Sequence, residues 1–169
     1  DLYDVALEGV DLTDVDLTGV HGMEVASCPS ALPAGWDCVS NEDDYLNLVG
    51  PTANLEDAYL YGADLSGVDL SEANLSGAYL PGADLSDANL SDANLSDADL
   101  RNADLSGASL PGATLTGSNM GNVNFTGASL NGADLSGANL TDAVLTHVLG
   151  INLQGCPSAL PTDWSCVTA

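Results

Sequence analysis

The sequence predicts an all-β solenoid, a tube built by winding one short unit many times. Three observations predict it. Leu returns at every fifth position from Leu55 to Leu145, with Met120 and Phe125 as the two exceptions. A small residue stands two places before each, as in Ala63, Ala73 and Ala83, with Val68, Ser118 and Val123 as variants. The other three residues of each unit are polar or Gly in nearly every copy. A period of five is neither the 3.6 of a helix nor the 2 of a strand. Residues two apart share one side of an extended segment, so Leu and the small residue face inward together. The chain must then turn before it presents Leu again. One unit buries almost nothing, whereas stacked coils bury a continuous column, so stability is nearly one-dimensional. Each buried Leu contributes roughly 1.5–3 kcal/mol.

Units such as Ala73-Asn74-Leu75-Ser76-Gly77 and Ala83-Asp84-Leu85-Ser86-Asp87 resemble the pentapeptide-repeat family. The resemblance covers well over half of the chain. It implies a right-handed quadrilateral β-helix in which each side is one pentapeptide and about four make a coil. The family includes acidic DNA mimics that bind and protect DNA gyrase, and this is the alternative reading of function.

The chain divides into four parts. Residues 1–25 end a first pentapeptide block, with Leu2, Leu7, Leu12 and Leu17 central and Val5, Val10, Val15 and Val20 in the small-residue column. Residues 26–52 are a Cys/Trp insert that breaks the five-residue register. Residues 53–149 are the main β-helix, and 150–169 a second Cys/Trp segment that caps it. The two cassettes are Cys28-Pro-Ser-Ala-Leu-Pro-Ala-Gly-Trp-Asp-Cys38-Val39 and Cys156-Pro-Ser-Ala-Leu-Pro-Thr-Asp-Trp-Ser-Cys166-Val167. The offset that carries Cys28 onto Cys156 also carries Leu17 onto Leu145 and Gly22 onto Gly150. A long module therefore overlies the short repeat, and the parent chain is expected to repeat it. Opening at Asp1 without Met or a visible signal peptide, the chain reads as a piece of something longer.

Between cassette and main block, Glu42, Asp43 and Asp44 read as a solvated acidic loop rather than a cation site. Tyr45, Leu46, Leu48 and Val49 are expected to rejoin the β-helix, and Gly50-Pro51 to turn. Trp36 and Trp164 are expected to fold back over an adjacent coil.

Four cysteines alone do not fix their pairing. Recurrence of the cassette favours disulfides within each copy, Cys28–Cys38 and Cys156–Cys166, because the copies lie nearly five coils apart. No Cys-x-x-Cys exists, and His21 and His147 occupy non-equivalent places, which speaks against zinc. Disulfides imply an extracytoplasmic address: secreted, cell surface, periplasm or lumen.

With four units per coil, residues 20 apart stack on the outside. Asp64, Asp84 and Asp104 form one column and Asn54, Asn74 and Asn94 another. Such ladders are mainly structural, since the side chains bond nearby backbone. Calcium on the Asp column is the weak rival, and no other metal or cofactor is expected. Tyr59, Tyr61, Tyr79, Pro81 and Arg101 form an interaction patch, weighed against simple stacking.

A net charge of −24 with one cation excludes ordinary nucleic-acid binding and disfavours anionic membranes. No apolar run reaches the length of a spanning helix. No base stands beside the repeat serines, which argues against catalysis. The expectation is a non-catalytic structural or protein-binding module of a larger extracytoplasmic protein, able to self-associate through coil ends.

Overall fold

A computed structural model describes residues 2–20, 24–150 and 152–162. The main block is a right-handed quadrilateral β-helix. Parallel bridges join residues 20 apart on all four sides: Asn54↔Asn74, Tyr59↔Tyr79, Asp64↔Asp84 and Asp69↔Asn89 begin the four columns. The bridges run on to Gln154 and Ala159, so the coil continues into the second cassette.

One unit shows why the repeat has its composition. All five backbone N–H groups of residues 83–87 are engaged. Ala83 donates to Leu80 O, Asp84 to Ala63 O on the coil before, and Leu85 and Asp87 to Asp104 O and Ser106 O on the coil after. The fifth donor, Ser86 N, has no backbone partner and bonds Asp84 Oδ1 at 2.9 Å. Asp or Asn at the second position thus satisfies the donor that the coil leaves over. The fifth position lies at the third residue of a turn closed by bonds such as Ala88 N to Leu85 O, 3.1 Å. It has positive φ, 57° at Asp87 and 67° at Gly67. Gly, Asn and Asp tolerate that region, which explains their frequency there.

The interior is a column of Leu and Ala. Leu60 through Leu115 are fully buried, as are Met120 and Phe125. Ser118 replaces Ala inside without leaving a lone hydroxyl, because its Oγ donates to Leu115 O at 2.7 Å.

The part of the chain before the main block differs. Four short strands, β1 (Val5–Ala6), β2 (Glu24–Ser27), β3 (Asp37–Ser40) and β4 (Leu46–Val49), form one sheet in the order β1-β2-β4-β3. β1 and β2 are parallel, but β4 runs antiparallel to both β2 and β3. The expectation that Tyr45 to Val49 rejoin the β-helix is therefore corrected. The segment is the return strand of a hairpin, although Leu48 and Val49 do enter the continuous core. The valines of the first block are corrected too. Leu7 and Leu17 are buried, but Val5, Val10 and Val15 are 37–43% exposed. The cause is local: this coil stacks on residues 24–31 on one face and carries no coil on the other among the described residues.

Trp36 packs against the core cluster and lies over Gly50, where a Cβ would come within 2.5 Å of its ring. It covers the end of its own hairpin, where the chain enters the main block. Trp164 lies outside the described residues.

Candidate functional site

The hairpin turn carries the acidic run onto the first coil of the main block, and Asn41 fixes it there. Its Oδ1 accepts from Asp43 N and Tyr45 N, both at 3.0 Å, which closes the turn. Its Nδ2 donates to Tyr59 O at 2.9 Å, and Glu42 N donates to Tyr61 O at 3.0 Å. Glu42, Asp43 and Asp44 stay exposed, as expected of a solvated run, while Asn41 and the backbone of Glu42 dock the turn.

Five tyrosines meet at this junction. Tyr59 and Tyr79, one coil apart, stack with centroids 5.3 Å apart and planes 6° apart. Tyr61 leans on Tyr79 at 6.2 Å, and Tyr45 meets Tyr59 edge-on at 6.1 Å and 86°. The Tyr59 hydroxyl donates to Asp43 Oδ2 at 2.9 Å. This bond, made to an anion, holds the phenol in its protonated form and pushes its pKa up to about 12. The charge of Glu42 raises that of Tyr61 in the same way. Tyr3 comes from the opposite side, on the first coil. With Glu24, Asp43, Tyr45 and Tyr59 it lines a cleft of about 590 Å³. A second hollow of about 200 Å³ shares Tyr3, Glu24 and Tyr59 and extends the cleft to Asn47, Glu56 and Asp57.

The residues expected from sequence fall as follows. Tyr59, Tyr61 and Tyr79 form one patch. Pro81 is buried beside them, its carbonyl accepting from Gly62 N at 3.1 Å. Arg101 stands one coil further on and turns to Asp99, in a pair of 2.6 Å that lowers the carboxyl pKa through the hydrogen bonds. Asp43, Glu24, Tyr3 and Tyr45 were not expected in a site. The docking of a broken-register hairpin brings them there, and no periodic signal marks them.

Asp64, Asp84 and Asp104 stack in register. Among the described residues no three His, Cys, Asp or Glu side chains are grouped as a metal site would need. Each aspartate of the column bonds the serine two places on instead, as in Ser66 N and Oγ to Asp64 Oδ1 at 3.1 and 2.6 Å. The serine hydroxyl lowers the Asp64 pKa. Neighbouring columns add rungs between coils, such as Asn94 Nδ2 to Asn74 Oδ1 at 3.1 Å and Asn89 Nδ2 to Asp69 Oδ1 at 2.9 Å.

Cys28 and Cys38 form a disulfide, with Cα atoms 5.9 Å apart. Cys156 is disulfide-bonded as well. Cys166, like His21, lies outside the described residues. His147 is exposed at a positive-φ turn position. No helix among the described residues is long and apolar enough to cross a membrane.

The family profile described as pentapeptide repeats matches residues 53–92, 83–122 and 118–148, more than half of the chain. No curated protein matches the chain in sequence. Among solved structures, the pentapeptide repeat protein Rfr23 from the cyanobacterium Cyanothece 51142 is 40% identical. The match covers 55% of this chain and 63% of that one, with a TM-score of 0.53. A pentapeptide repeat protein from the thylakoid lumen of Arabidopsis thaliana is 36% identical over 54% of this chain and 63% of its own, also at 0.53. The match thus spans less than two thirds of either relative. Trypsin-treated QnrB1, described as a plasmid-mediated fluoroquinolone resistance protein, is 23% identical over 54% of this chain and 55% of its own. Its TM-score of 0.28 is too low for the likeness to bear on function.

Proposed function

Because the chain belongs to the pentapeptide-repeat family, we propose that it is a non-catalytic scaffold and protein-binding module of a larger extracytoplasmic protein. One observation carries the reading: both cassettes, one long module apart, dock on the coil before them through the same bonds. Asp11 bridges Ala31 as Asn139 bridges Ala159. Ser30 N donates to Val10 O as Ser158 N does to Ala138 O, each at 2.7 Å. The serine hydroxyls repeat the same contact at 2.9 and 3.0 Å. A sequence duplication that preserves its docking geometry is a building block. On this reading residues 1–25 and 26–52 close one module, 53–149 and 150–169 make up the next, and Val5, Val10 and Val15 form a face that takes another coil, of the parent or of a second copy.

The disulfides support the oxidising address. So does the lumenal relative, whose compartment is its own. Repeat hydroxyls such as those of Ser66, Ser91 and Ser96 are spent on the Asp or Asn two places before them, which supports a binding rather than a catalytic role. The chain is acidic enough for a DNA mimic, but its charge is spread rather than focused. Asp57, Asp64, Asp69 and Asp99 stand on four different sides, whereas a duplex mimic needs its charge where a DNA-binding saddle reaches it. A supercoiling assay across salt concentrations is expected to show no inhibition. The deciding experiment is alkylation of the protein in its native cells before lysis, then peptide mapping. Four oxidised cysteines are expected. Four alkylated thiols would overturn the address and with it the extracytoplasmic part of the reading.

A further inference from the structure

The convex sides of the solenoid are flat and periodic. The break in them, where the hairpin interrupts the stack, holds the cleft described above. Aromatic residues make up 5% of the chain, yet three exposed tyrosines, Tyr3, Tyr45 and Tyr59, face this one cleft. Tyr61 and Tyr79 buttress Tyr59 from behind. Carboxylates surround the rings: Glu24 and Asp43 at the wider end, Glu56 and Asp57 at the narrower. Ring faces beside carboxylates favour a cation, through the ring quadrupole and direct charge attraction.

A second, independent feature points to the same place. Asn47 is 1% exposed and lines the narrower end. Its Nδ2 is a buried donor with no hydrogen-bond partner. Leaving such a group unmet is costly. β4 pairs Asn47 with Glu24 on one side and Val39 on the other through the backbone, and the residue borders the hollow. The group needs an acceptor; water supplies one in the free protein, and a ligand that displaces it must bring its own. A metal ion presents none, and an anion is repelled by four carboxylates and a net charge of −24. What fits is a cation that carries a neutral carbonyl a short distance away.

We propose that this cleft docks a basic peptide segment, with an arginine or lysine side chain against Tyr3, Tyr45 and Tyr59 and a backbone carbonyl of the same segment accepting from Asn47 Nδ2. The proposal rests on the protein-binding reading above and names the chemistry of the partner. Glu24 and Asp43 hold the charge. Asp43 is already fixed by Tyr59, so little side-chain freedom is lost when the partner arrives. Asn47 selects a peptide over a bare cation.

Amide spectra of isotopically labelled protein test this at physiological ionic strength, where surface attraction is screened. The probes are acetyl-Gly-Arg-Gly-amide and agmatine, which has the guanidinium but no carbonyl. The peptide is expected to shift Tyr3, Glu24, Asn47 and Tyr59 and to move the Asn47 side-chain amide downfield. Agmatine is expected to move the tyrosines and leave that amide in place. Glu24→Gln with Asp43→Asn should weaken the peptide about tenfold, and Tyr45→Ser, at an exposed position, roughly threefold. Asp134→Asn with Asp142→Asn removes as much charge about four coils from the cleft and should leave affinity within about twofold. Shifts spread along the Asp87, Asp92 and Asp97 turns would overturn the proposal. So would equal losses in the near and remote variants, or an Asn47 amide that the peptide does not move. Any of these leaves the cysteine-trapping result untouched, so the two readings fail separately.

Discussion

The main solenoid and the hairpin region before it solve the same problem in different ways. In the solenoid the units meet their donors by one repeating pattern, within the unit and on the coils either side, and bury a column of Leu. In the region before it the register breaks, a strand runs backwards, valines face outward and a buried amide lacks a partner. The regular part is stable and smooth. The irregular part holds the disulfide and the cleft. A uniform surface offers a partner no unique place, and here the break in the repeat supplies one.

The largest effect should come from charging equivalent-looking columns on the two sides of this divide. Leu95 is fully buried between coils, so Leu95→Asp loses its transfer energy and buries an unpaired carboxylate. A loss above about 4 kcal/mol is expected in denaturant unfolding. Val10 sits in the small-residue column but is 38% exposed, so Val10→Asp should cost less than about 0.5 kcal/mol. Equal losses would mean that the first coil is covered in solution.

Next is the disulfide. Cys28 and Cys38 are 10 residues apart, and closing such a loop contributes about 3 kcal/mol on loop-entropy grounds. Cys28→Ser with Cys38→Ser should loosen the hairpin alone. Hydrogen exchange should rise across β3 and β4 and stay unchanged from Leu75 to Leu115, because solenoid stability passes only between neighbours. Loss of protection along the whole column would show that the hairpin nucleates the fold.

How legible the two regions were follows from the same physics. Leu85, Ala83 and Asp84 could be assigned from sequence because their environment repeats, and one period fixes every neighbour. The column Tyr59–Tyr79 followed from counting by 20. Tyr45 and Asn47 could not be placed this way. Their neighbours depend on a hairpin whose direction is set by the turn at Asn41, and no other unit reports on it. The Val column misled because a sequence period specifies which residues face the tube axis but not whether a coil lies above them. The positive-φ role of the fifth position was visible in its Gly, Asn and Asp composition, and a turn argument would have found it.

Tyr59 offers a third test of the junction. Its phenol pKa is raised to about 12 by Asp43, so it remains protonated while ordinary tyrosines ionise. A raised folded-state pKa adds stability below the unfolded value near 10, and that stability is lost as pH climbs through about 12. Ultraviolet titration should show Tyr59 ionising last, with Tyr61 also late because Glu42 raises it. In Asp43→Asn the last transition should move down while the one due to Tyr61 stays. A last transition unchanged in the variant would place the cause elsewhere.

The smallest effect concerns a column of like charges in the regular region. Asp64, Asp84 and Asp104 stack like charges directly over one another, and opposed like charges destabilise a ladder. Neighbouring columns avoid this with amides: Asn89 donates to Asp69, and Asn124 closes this same column by donating to Asp104 Oδ1 at 3.0 Å. Asp84 is the middle rung. Asp84→Asn keeps an Oδ1 for Ser86 N, removes one charge and supplies an Nδ2 for Asp64. A gain of about 0.5 kcal/mol is expected at low salt, shrinking as added salt screens the repulsion. The control is Asn89→Asp, which removes a rung and sets a like charge against Asp69, and should lose a similar amount. If Asp84→Asn is destabilising at every salt concentration, the aspartate column holds something that the amide cannot, and a bound cation would be the first thing to look for.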